Sequence, residues 1–129
     1  FKMAKINKKV MNNYLKPKLM NSDEDGVRVK VYISGHMIGA GKMELFNLVN
    51  KYGSINKAAK TMGMSFSRAN MLLDTIQMAF DKPVLTKGSG NKGTQLTKFG
   101  LQLLEKYINL CNHLTSESKK FIRWAKSNQ

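Results

Sequence analysis

Ser65, Ser67, Arg68, Asn70 and Met71 fall within one short run, and their chemistry suits the edge of a nucleic acid duplex. A guanidinium presents two donors that match O6 and N7 of guanine, so Arg68 is the expected base-edge contact. The carboxamide of Asn70 can make the corresponding paired contact to adenine. Ser65 is a capping residue. The backbone amides from Ser65 to Ser67, at the positive end of a helix, suit a phosphate. Ser54, Asn56 and Lys57, at the start of the preceding element, complete this part of the expected DNA-facing set. Further on, Lys87, Asn91 and Lys92 sit on the glycine-rich stretch Lys87-Gly-Ser-Gly-Asn-Lys-Gly93. They would touch phosphates or the adjacent minor groove, contacts that fix register more than they read sequence. The same polar residues would also make an ordinary solvated helix face and a flexible hairpin with incidental lysines. The frame that carries them decides between the two readings.

That frame is Gly53-Ser-Ile-Asn-Lys-Ala-Ala-Lys-Thr-Met-Gly63, followed by Met64 and the cap Ser65. A turn residue, a cap, a pair of small residues, a glycine turn and a second cap have the spacing of a helix-turn-helix, in which two helices cross on small side chains. A helix is expected from Lys42 to about Tyr52, with Met43, Phe46 and Val49 inward and Gly53 stopping it in the left-handed region. Asn56, with Ser54 as the alternative, caps a second helix that carries Ala58 and Ala59. The third begins after Ser65, with Ala69, Leu72, Leu73, Ile76 and Phe80 at three-and-four spacing, and ends at Lys82-Pro83. Val27, Val29, Val31 and Ile33 alternate with polar residues, which predicts a half-buried strand. Val84–Thr86 and Thr94–Leu96 should flank the glycine-rich tip as a hairpin, forming a short sheet with Val27–Ile33. From Thr97 onward an apolar stripe steps by threes and fours to Trp124, a helix too long for a small domain to cover.

The 129 residues carry a formal net charge of +14 and are 42% hydrophobic, enough for a folded domain with a polyanionic partner. No apolar run approaches the roughly 18 residues of a membrane span, and no secretory signal is visible, so a cytoplasmic protein without membrane contact is expected, nucleoid-associated when bound. The single cysteine, Cys111, excludes an internal disulfide framework. Gly88-Ser-Gly-Asn-Lys-Gly93 satisfies a dinucleotide fingerprint literally, but no helix opens from its last glycine, as that site requires. His36 and His113 stand far apart without neighbouring cysteines or paired carboxylates, so neither a metal nor a catalytic base is expected. No enzyme activity and no cofactor follow. The organisation reads as a basic tail over 1–26, a DNA-binding domain over 27–97 and a C-terminal helix over 98–129.

These residues together resemble the N-terminal domain of the molybdate-responsive ModE regulators, and more loosely the LysR-type winged helix-turn-helix. The anchors are Gly53-Ser-Ile55, Ala58-Ala59, Met62-Gly-Met-Ser65, Ala69, Ile76, Pro83-Val-Leu85, the glycine-rich wing and Leu96-Thr97-x-x-Gly100. The resemblance implies a mainly α winged helix-turn-helix with a small β-sheet, a recognition helix in the major groove and a long C-terminal dimerisation helix. It implies a homodimer joined through the first and last helices, for which Phe46, Phe99, Leu103, Tyr107, Leu110, Leu114 and Phe121 are the expected seam. Where ModE-like sequences often read Ser-Tyr-Lys-Ser-Ala-Trp, this chain has Ser65-Phe-Ser-Arg-Ala-Asn70, so a different operator is expected. Nothing follows Gln129 that would serve as the family's oxyanion-binding domain, so no small-molecule effector is expected within the chain. The expected function is sequence-specific binding of double-stranded DNA to regulate transcription. The competing reading is a winged helix used for protein interaction or RNA binding, without operator specificity.

Overall fold

The computed structural model describes residues 25–87 and 93–129. The first described elements form a hairpin, β1 (Lys30–Ile33) and β2 (His36–Gly39), paired antiparallel with Val31 opposite Ile38 and Tyr32 opposite Met37. Ser34 and Gly35 join them at φ 49° and 84°, the left-handed pair that a two-residue hairpin turn requires. From sequence, Ser34-Gly35 and Gly39-Ala-Gly41 bracket a short loop where β2 lies, and a single sheet shared with the wing is expected. Among the described residues the strands instead form two separate two-stranded sheets. His36–Gly39 lacks the polar–apolar alternation that marks a strand, and only its pairing with β1 reveals it.

The centre of the domain is α1 (Ala40–Tyr52), in which every residue from Met43 to Val49 is buried. Gly53 ends it at φ 65°, donating its amide to the Val49 carbonyl at 2.8 Å. Next comes α2 (Ile55–Thr61), capped by Ser54, whose hydroxyl accepts from the Lys57 amide at 3.1 Å. Asn56 is therefore not the cap; it lies exposed one residue inside the helix. Ala58 and Ala59 are fully buried where α2 meets its neighbours, as close helix crossing demands. After Gly63 (φ 70°), Ser65 caps α3 (Phe66–Gln77) by accepting from the Arg68 amide at 3.1 Å.

This third helix stops earlier than proline placement predicts, and Gln77 supplies the reason. Its carboxamide donates to the carbonyls of Phe80 and Lys82 at 3.2 and 2.8 Å and accepts from the Val84 amide at 2.8 Å. The descending loop thus finds its backbone partners on a side chain rather than in another helical turn. Phe80 still packs inward, edge-on to Phe99 at 5.2 Å.

The second hairpin pairs β3 (Leu85–Lys87) with β4 (Thr94–Leu96), Leu85 opposite Leu96. Thr97 then caps α4 (Lys98–Ser127), accepting from the Gly100 amide at 2.9 Å. Thr97 also ties the helix start to the loop before β3, through Thr97 N–H to Val84 O at 3.0 Å and its hydroxyl to Pro83 O at 2.7 Å. The first half of α4 closes the core with Leu101, Leu104, Tyr107 and Ile108. The Tyr107 hydroxyl donates to the Val29 carbonyl at 3.0 Å and so holds the approach to β1 against the helix. Beyond Cys111 the helix runs out over solvent, with Lys126 near its end paired to Asp25. Among the described residues, no helix is long and apolar enough to cross a membrane. The architecture is mainly α, a winged helix with a long final helix.

Candidate nucleic-acid interface

The cap and first turns of α3 lie open to solvent. Ser65, Phe66, Ser67, Arg68 and Met71 are exposed, while Ala69, Leu73 and Ile76 hold the opposite side in the core. The periodicity that buries one face therefore presents the other. The cap occupies the Arg68 amide, leaving the amides of Phe66 and Ser67 at the helix start without an i−4 carbonyl inside α3. Those two groups and the positive helix end are suited to a phosphate oxygen. Asp74 is exposed further along α3 and would repel a polyanion, so the face fit for a duplex is confined to the first turns.

The wing strand stands beside this face. Asn70 is half-buried and accepts a long hydrogen bond, 3.5 Å, from the Lys87 ammonium. That contact brings the wing's lysine to the open face of α3. The base of the wing is fixed to the turn between α1 and α2 by the Thr94 amide, which donates to Gly53 O at 3.0 Å. Gly93 is obligatory there, since a Cβ on it would stand 2.0 Å from the same carbonyl. Asn91 and Lys92 lie outside the described residues. From α2, Asn56 and Lys57 are exposed, while Ser54 is half-buried with its hydroxyl engaged as the cap.

Sequence reasoning assigned no role to two cations that the fold places near Arg68. Arg28 and Lys30 line a cavity with Arg68, because β2 packs on α3 and carries β1 with it. In the sequence they read only as the polar side of a strand. Their neighbour in space depends on a pairing that no local signal announced.

The expected dimer seam needs correction. Phe46 has no exposed surface and Tyr107 only 5%, so both belong to the core of a single chain. Phe99 and Leu103 are half-buried against that core. Leu110, Leu114 and Phe121 are exposed, joined by Trp124, whose ring centroid lies 6.0 Å from that of Phe121. Cys111 is half-buried near Tyr107, and burial pushes its thiol up, partly offset by a hydrogen bond with the phenol. No group of three or more histidine, cysteine, aspartate or glutamate side chains is placed to hold a metal among the described residues.

No family model matches the chain. Over 76 residues it is 29% identical to the molybdenum transport protein ModE of Azotobacter vinelandii, an alignment covering 57% of this chain. The match spans 28% of the length of that relative.

Proposed function

We propose that the chain binds double-stranded DNA with sequence preference, as a regulator of transcription that acts without catalysis. The observation that carries this reading is the open, capped start of α3, with Arg68 outward and Lys87 of the wing beside Asn70, on a chain of net charge +14. Arg68 would meet a guanine edge, and Asn70, drawn toward Lys87, would serve the same groove from its rim. Lys57 and Lys87 would take phosphates on either side and set the register. The likeness to a ModE protein supports the same reading.

The active form is a homodimer, in which the distal halves of two α4 helices cover each other. Leu110, Leu114, Phe121 and Trp124 support this, because an exposed apolar stripe of that length is costly to leave in water. Two recognition helices related by a two-fold would then meet half-sites about 34 Å apart or a multiple of it.

Salt dependence tests the binding claim against the rival docking role of that stripe. Duplex affinity should fall steeply as salt rises, because each neutralised phosphate releases counterions. Arg68→Ala should cost about 1–3 kcal/mol on the preferred site and relax its base preference. An affinity indifferent to salt and to Arg68→Ala would remove the DNA reading and leave α4 as a docking surface.

A further inference from the structure

Between β1–β2 and the start of α3 lies a cavity of about 360 Å³ that DNA recognition does not explain. Its lining includes the cations Arg28, Lys30, Lys42 and Arg68, three of them exposed, and the half-buried side chains of Met64 and Leu72. The N-terminus of α1 opens on it. Gly39 caps that helix without a side chain, and no acidic residue stands in its first turn. Lys42 is steadied by donating its ammonium to the Met37 carbonyl at 3.0 Å. Four cations and a helix N-terminus thus share one cavity with thioether and aliphatic side chains.

We propose that this cavity binds a small organic anion with an apolar body, such as a medium-chain carboxylate. Charge complementarity selects the anion, and the apolar lining selects the rest of the molecule. An inorganic oxyanion or a backbone phosphate would engage the cations but gain nothing from Met64 and Leu72, since it has no apolar surface to remove from water. The volume falls in the range of about 300–1,000 Å³ typical of small-molecule sites. Arg68 lines the cavity and also stands on the face proposed for DNA. An anion seated there would draw its guanidinium inward and compete with the duplex. This last consequence rests on the DNA reading; occupancy of the cavity does not.

The test is titration of the ¹⁵N-labelled full chain with sodium decanoate, alongside sodium sulfate, with no DNA present. Decanoate should give saturable shifts at the amides of Gly39, Gly41 and Met64, and sulfate should not reproduce them. The double variant Arg28→Glu/Lys30→Glu should weaken decanoate binding about tenfold, since it reverses two lining charges on exposed positions. Arg28→Gln/Lys30→Gln provides the milder version if charge reversal perturbs the hairpin. Sulfate shifting the same amides equally would overturn the proposal, marking the cavity as a seat for any anion, including a DNA phosphate. Decanoate shifts confined to Phe121 and Trp124, or binding unaffected by both double variants, would overturn it as well. With a duplex added, decanoate should reduce duplex affinity at least about fivefold. Undiminished affinity at saturating decanoate would refute the competition, while a chain that binds no duplex at all would count against the DNA reading alone.

Discussion

Gly100 and Gly41 both sit in the first turn of a helix, yet adding one methyl group to each should move stability in opposite directions. A Cβ on Gly100 would stand 2.2 Å from the Val84 carbonyl oxygen and 3.2 Å from Cζ of Phe46. Ordinary contact lies near 3.5 Å, so α4 and the strand entering the wing would have to part by about 1 Å. That movement strains the two bonds that join them, Thr97 N–H to Val84 O and Thr97 hydroxyl to Pro83 O. Each is worth about 1 kcal/mol net, and forcing a methyl into a filled space costs about 1–3 kcal/mol more. The better helix propensity of alanine returns at most about 1 kcal/mol. Gly100→Ala should therefore destabilise by about 2–4 kcal/mol. A Cβ on Gly41 meets nothing within 4 Å, so Gly41→Ala should stabilise by about 0.5 kcal/mol, chiefly by restricting the unfolded chain. Urea unfolding of the three proteins, with slopes compared to confirm a shared transition, measures both changes. A Gly100→Ala protein as stable as the parent would refute the close approach of Val84 to α4, and with it the fixed wing base.

Three further outcomes follow from named side chains. Burial, and then the neighbouring Cys111, push the Tyr107 phenol well above its ordinary value, so the unfolded chain loses this proton first. Stability from this group is whole below about pH 10 and declines as pH rises past it. Tyr107→Phe should cost about 1 kcal/mol at neutral pH through the lost bond to Val29 O and make the alkaline decline shallower. Unfolding curves at pH 8–11 that stay parallel for the two proteins would contradict this. Lys87→Ala should lower the slope of log affinity against log salt by about one while weakening all duplexes alike; a loss limited to one sequence would assign Lys87 to base reading. Leu114→Asp/Phe121→Asp, both at exposed positions, should shift a dimer to monomers in sedimentation without altering helix content. An unchanged dimer would move the seam off the distal half of α4.

The local grammar of the helix-turn-helix was legible because its signals are short-range. Ser65 caps the helix it was expected to cap, the last helix starts at Thr97 as expected, Gly53 and Gly63 take positive φ, and Ala58 and Ala59 vanish into the crossing. Features set by partners distant in sequence were not legible. β2 exists because β1 pairs with it, and α3 ends where Gln77 turns its carboxamide to the loop. An apolar period on α4 cannot say whether a residue faces its own core or another chain, and for that reason Tyr107 was placed on the wrong side of the distinction. The adjacency of Arg28 and Lys30 to Arg68 likewise needs the hairpin to be folded onto α3 before it can be seen.

Selection of binding sites from random duplex DNA, run with the protein and with Arg68→Ala side by side, decides whether α3 reads DNA. The expected result is a recovered consensus with two inverted half-sites spaced by about 34 Å or a multiple, containing a guanine whose enrichment disappears in Arg68→Ala. A recovered pool with the composition of the input, or a consensus that Arg68→Ala leaves intact, would contradict base reading by α3.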